Sequence, residues 1–231
     1  MQIAVLLYEG FTGLDVVGPY EILSRIPEAE VVFTAVEAGP VRTDMASLAL
    51  TADRPLAEVT SPDLLVVPGG PGTGAALGDA SILDWFRAVD PGTTWTTSVC
   101  SGSLLLAAAG LLTGRRAASH WIALEHLPSF GAVPSTDRVV FDGKYATAAG
   151  VSAGIDLALH LAGRLAGDAV AEAIQLVVEY APDPPYTTGS PSSAPPELLA
   201  ALRASDLVVL PPRGAGDCAT SHDAPPRLRL P

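Results

Sequence analysis

Residues 94–112, TWTTSVCSGSLLLAAAGLL, constrain the fold more than any other stretch of the chain. A β-prone run (Thr94, Trp95, Thr96, Thr97, Val99) meets a helical run, residues 104–112, at one sharp corner, Cys100-Ser101-Gly102. The small Ser101 and Gly102 allow a tight strand-to-helix turn of the kind that presents a nucleophile. A cysteine there sits over the unpaired N–H groups at the start of a helix, where the dipole favours a thiolate. The competing reading is a buried, inert cysteine at a strand end.

The rest of the chain supplies the layers such a corner needs. Residues 2–7 and 30–38 read as strands, and Leu64–Val67 as a short, wholly apolar strand running into Pro68-Gly69-Gly70-Pro71-Gly72. Residues 41–51 read as a small hairpin, 115–120 as a further strand, and 139–141 with 145–147 as a second hairpin around Asp142-Gly143-Lys144. Helices are expected over 79–89, 121–127, 152–165 and 168–180. After the first strand, Gly18-Pro19 places a helix start near Pro19 and leaves Asp15 in the preceding turn. Continuous apolar strands alternating with helices imply a mostly parallel α/β sheet covered on both faces. His160 falls on the apolar face of its helix and reads as a core histidine. Residues 1–193 form the expected domain. Residues 194–231 read as an atypical Pro/Arg-rich tail without helical spacing, disordered from Ser205 onward.

Composition removes several functional classes. The net charge is −12, and from Glu197 onward four acidic residues balance four arginines, so the excess lies on residues 1–196. A body of that sign repels phosphate backbones, which argues against nucleic acid as a partner. The two cysteines, Cys100 and Cys218, have no framework spacing, in keeping with a reducing cytoplasm. The longest apolar runs reach about half of the ~18 residues a membrane span needs, and the N-terminus lacks a signal-peptide pattern, so no membrane is expected. Lys144 is the sole lysine, which disfavours Schiff-base chemistry. His120, His126, His160 and His222 are scattered without metal-ligand spacing, so no metal is expected.

In open α/β sheets, sites form at the carboxyl ends of the strands. The loops there carry Glu9, Asp15, Cys100, Ser101, His120 and Ser152, and Cys100 is the strong nucleophile among them. The Gly69-Gly70 loop could bring a backbone N–H beside the sulfur and Ser101 a second, together stabilising developing negative charge. The alternative for that loop is a plain tight turn. Asp15 reads either as a helix-start cap or, if it touches the cysteine, as an acid sharing a proton with it.

Leu14-Asp15-Val16-Val17-Gly18-Pro19, Val67-Pro68-Gly69-Gly70, Val99-Cys100-Ser101-Gly102-Ser103 and Ala118-Ser119-His120-Trp121 together resemble the ThiJ/PfpI superfamily. Residues 148–156 and 175–191 point within it to the isonitrile hydratase group. The resemblance implies a three-layer, flavodoxin-like fold of the class I glutamine amidotransferase type. It also implies a homodimer that hydrates a small isonitrile to an N-substituted formamide without a cofactor. Carried over, Cys100 attacks the isonitrile carbon and Asp15 supplies a proton and then positions water. Ser101 stands where the group has threonine and keeps the hydroxyl. Gly69, Gly70 and His120 line the site, His120 in a supporting role. The same residues leave two rivals open: another superfamily enzyme, such as a glyoxalase, deglycase or amidohydrolase, or a redox or ligand sensor built on an oxidisable cysteine.

Overall fold

The computed structural model describes residues 1–204. The strands are β1 (Gln2–Leu6), β2 (Glu30–Ala35), β3 (Gly39–Arg42), β4 (Ala49–Ala52), β5 (Arg54–Pro55), β6 (Leu64–Val67), β7 (Trp95–Ser98), β8 (Arg116–Ala117), β9 (Val133–Pro134), β10 (Val139–Asp142) and β11 (Tyr145–Ala148). The α-helices are α1 (Gly13–Leu23), α2 (Thr73–Leu77), α3 (Ala80–Val89), α4 (Gly102–Ala108), α5 (Ala153–Ala166), α6 (Asp168–Val177) and α7 (Pro196–Arg203).

Seven strands form one sheet in the order β10-β11-β7-β6-β1-β2-β5, parallel except for the β10–β11 hairpin. The chain moves from β1 outward to β2 and then returns to the other side of β1 with β6, so the order in which strands are added reverses between β1 and β6. Ligand sites form at such a switch point. The wholly buried β6 and the nearly apolar β1 need cover on both faces, which is why they carry no inside–outside alternation. Phe11, Phe86, Leu64, Leu65 and Leu104–Leu106 are among the largest side chains removed from water. At about 25 cal/mol per Å² of apolar surface, this burial is the dominant stabilising contribution.

Four expectations are corrected. Helix α1 begins at Gly13 rather than near Pro19, which lies inside it. Gly18 serves packing instead of a turn: a Cβ there would lie 3.0 Å from Ile155 Cγ1, so the glycine lets α1 approach α5. Asp15 therefore sits in the first helical turn. Of the strand expected over 115–120, only Arg116–Ala117 is extended, and it pairs with β9 outside the main sheet. His160 is exposed rather than core, meeting the Phe141 ring edge-on. Within the segment read as a non-helical tail, residues 196–203 form α7, where Pro196 supplies a fitting first position and Leu198, Leu199 and Leu202 share one face. The reading of residues 205–231 lies outside the described residues.

Candidate functional site

The corner after β7 is strained by design. Cys100 has φ +58°, a left-handed conformation uncommon for a residue with a Cβ. Its backbone is held from several directions. The Cys100 N–H donates to Ala149 O at 2.9 Å and Ala148 O at 3.2 Å, and the Ser119 hydroxyl donates to the Cys100 carbonyl at 3.1 Å. Glycines make room for the turn. A Cβ on Gly69 would stand 2.4 Å from the Ser101 nitrogen, and one on Gly102 would stand 2.3 Å from Val67 O.

Asp15 comes to the same place from α1. It is fully buried, and its Oδ2 accepts the Gly69 N–H at 2.8 Å, while Oδ1 has no hydrogen-bond partner among the described residues. Burial, opposed by the Gly69 N–H and the neighbouring Cys100 side chain, lifts its carboxyl from 3.8 to about 7. The Cys100 thiol is also pushed up, first by burial and then by the Asp15 charge. Ser101 and Val151 backbone groups and the Ser101 hydroxyl favour the thiolate but do not outweigh burial. The corner thus does not favour the free thiolate expected from helix position alone: burial of the sulfur and the nearby Asp15 charge outweigh the donors around it. Double ionisation is disfavoured, so cysteine and carboxyl hold at least one proton between them at neutral pH.

The amides of the glycine loop are also differently employed than expected. Gly69 N–H is taken by Asp15, and Gly70 N–H donates to Ser101 Oγ at 3.0 Å. Neither points free toward a substrate atom. The donors at the sulfur are the backbone groups of Ser101 and Val151.

Beside the sulfur lies a cavity of about 260 Å³, lined by Thr12, Cys100, Ser101, His120, Trp121 and Leu202 among others. Its walls are mostly apolar. His120 is mostly buried and desolvation lowers its pKa, so it stands there as a neutral imidazole. Its ring lies against Gly150, where a Cβ would meet Cδ2 at 2.7 Å, and Nδ1 accepts the Ile122 N–H at 3.4 Å. Helix α7 closes one side: Leu202 lines the cavity, and the Arg203 guanidinium lies 5.6 Å from the Trp121 ring centre. Glu9 and Ser152 are exposed and lie elsewhere, Glu9 on a different cavity and Ser152 beside Arg138.

Sequence reasoning overlooked Tyr8 and Thr73. Thr73 Oγ1 is 2.8 Å from Ser101 Oγ and 3.0 Å from the Tyr8 hydroxyl, which also donates to Pro68 O at 2.9 Å. The available signal was a hydroxyl three residues beyond the glycine pair, on the loop already singled out.

Fold and site together define a three-layer α/β protein with a cysteine elbow at the carboxyl edge of its parallel sheet. The chain belongs to the DJ-1/PfpI family, whose model matches residues 1–164. It is 41% identical over 195 residues to isonitrile hydratase from Pseudomonas putida, covering 84% of this chain and 85% of that protein. A ThiJ/PfpI family crystal structure from Pseudomonas syringae superposes with a TM-score of 0.85 at 40% identity, covering 87% of this chain and 84% of the other. DJ-1beta from Drosophila melanogaster shares the fold, with a TM-score of 0.68 at 23% identity over 78% of this chain and 98% of its own.

Proposed function

We propose that this protein hydrates a small isonitrile to an N-substituted formamide, with Cys100 as nucleophile and Asp15 as proton donor. The observation that carries this reading is the meeting of a buried thiol and a buried carboxyl, both pushed toward their protonated forms, beside a small apolar cavity. The similarity to isonitrile hydratase supports the substrate class.

The reaction starts once the resting thiol has lost its proton, so that the pair's one remaining proton sits on Asp15 and the sulfur is the thiolate. The sulfur adds to the terminal carbon of R–N≡C, forming a C–S bond, while the Asp15 proton passes to that carbon and gives a thioformimidate. The Asp15 carboxylate then takes a proton from water as the oxygen adds to the same carbon, and passes it to nitrogen. Finally the C–S bond breaks, the hydroxyl proton returns to Asp15, and R–NH–CHO leaves with the thiolate restored. One water is consumed, and the chemistry calls for no cofactor. An apolar wall of Trp121, Ile122, Val151 and Leu202 suits the R group. His120, held neutral, shapes the pocket without competing for the proton. We further infer a homodimer working in the cytoplasm, an expectation from the family resemblance.

Turnover of cyclohexyl isocyanide tests the reading, with formamide followed chromatographically. Wild type should form the formamide; Cys100→Ala should form none, and Asp15→Asn should be slower by roughly 10²–10⁴-fold. Formamide production by Cys100→Ala at the wild-type rate would sink the mechanism. Turnover of methylglyoxal with none of the isocyanide would move the protein to the glyoxalase or deglycase class.

A further inference from the structure

The three hydroxyls behind the cysteine form a chain whose direction is undetermined by distance but limited by hydrogen count. Tyr8 and Thr73 are buried with Ser101, and each hydroxyl has one hydrogen to give. The contacts are Pro68 O to Tyr8 (2.9 Å), Tyr8 to Thr73 (3.0 Å) and Thr73 to Ser101 (2.8 Å). Ser101 Oγ also accepts the Gly70 N–H, so its own hydrogen has two strong destinations: Thr73 Oγ1 or the Cys100 sulfur. The Gly70 carbonyl, at 3.5 Å, is a poor third.

Two arrangements satisfy the count. In one, Tyr8 donates to the Pro68 carbonyl, Thr73 donates to Tyr8, and Ser101 donates to Thr73, so every hydrogen runs away from the cysteine. In the other, Tyr8 donates to Thr73, Thr73 to Ser101, and Ser101 to the sulfur, and the Pro68 carbonyl loses its donor. A mixed arrangement leaves two neighbouring oxygens of the chain, 2.8 or 3.0 Å apart, without a hydrogen between them. The change needs only rotation about C–O bonds; no covalent bond forms or breaks.

We propose that Tyr8 is a positioning residue: acting through Thr73, it holds the Ser101 hydrogen away from Cys100 at rest and releases it to the sulfur when negative charge develops there. This deepens the hydratase reading and rests on Cys100 as its nucleophile. The neutral resting thiol favours the first arrangement, because the Pro68 carbonyl is a better acceptor than a thiol. A thiolate or a charged adduct reverses that order, since hydrogen bonds to charged groups are the stronger ones. Chain polarisation then strengthens each link. The close approach of the two loops keeps the chain in register: a Cβ on Gly72 would stand 1.9 Å from Glu9 O.

The test is the pH dependence of Cys100 alkylation by iodoacetamide in the full chain, with peptide mass spectrometry separating Cys100 from Cys218. The titratable groups around the sulfur are Asp15 on α1, Asp44 on the turn between β3 and β4, Tyr8 after β1 and His120 after β8. Tyr8→Phe leaves Thr73 with only Ser101 to donate to, so the Ser101 hydrogen stays on the sulfur and the profile shifts to lower pH by about one unit. Thr73→Val should shift it the same way from the other end of the chain, Thr73→Ser should restore the wild-type profile, and Ser101→Ala should shift it to higher pH. An unchanged or alkaline-shifted profile in both Tyr8→Phe and Thr73→Val overturns the proposal. Alkylation needs no isonitrile, so failure of the hydratase reading would appear separately, as absent turnover with these shifts intact.

Discussion

Replacing Asp15 by asparagine should stabilise the protein while removing the proposed proton donor. The buried carboxyl is raised from 3.8 to about 7 because burial penalises its charged form. Between about pH 4 and pH 7 the unfolded chain has released this proton and the folded chain still holds it, so stability drains away as pH rises. Three units at 1.36 kcal/mol each make the loss about 4 kcal/mol above pH 7. Asparagine has nearly the same shape, can still accept the Gly69 N–H, and carries no charge to desolvate. Allowing about 1 kcal/mol for a less well satisfied amide leaves a gain of ~3 kcal/mol at pH 8. For a chain of this size that is a Tm increase of roughly 6–12 °C. At pH 4 the ionisation penalty is nearly gone, and the two proteins should melt within a few degrees of each other. Thermal melts of both at pH 4, 6 and 8 measure the gap, and the other carboxylates cancel in the comparison. A gap that stays constant across that range would refute the account of Asp15 as a desolvated acid.

Two further outcomes follow from the close contacts and from α7. Gly69→Ala forces a methyl against the Ser101 nitrogen and Oγ, so it should cost about 2 kcal/mol or more in denaturant melts, and the folded fraction should not turn over isonitrile. Leu202→Ala removes an apolar wall and should raise KM for cyclohexyl isocyanide by roughly 3–10-fold with little change in kcat; a fall in kcat at constant KM would contradict a wall role.

Local patterns carried most of the fold. Leu64–Val67 is wholly apolar and became β6 with the expected bounds, and the 139–147 segment turns at Gly143, which has φ +63°. Where two signals conflict, the local one misleads. Gly18-Pro19 looked like a helix start, but packing against Ile155 demanded the glycine within a helix already running. The prolines before α7 hid the leucine spacing of an eight-residue helix. The cysteine was legible as a candidate from its own neighbours. Its partnership with Asp15 was legible only through family resemblance, because contacts between positions 85 apart leave no trace in local periodicity. The Tyr8–Thr73 contact, 65 residues apart, was invisible for the same reason.

The loops around the cysteine are knit together through backbone. Gly70, Gly72 and Gly102 each stand so near a main-chain oxygen of another loop that no side chain fits between. Trp121, Ile122 and Leu202, by contrast, reach the cavity from irregular chain and from α7, where size can change without disturbing that weave. Directed evolution toward bulkier molecules should therefore succeed by exchanging rim residues, and libraries that randomise the glycines should return mainly unfolded clones.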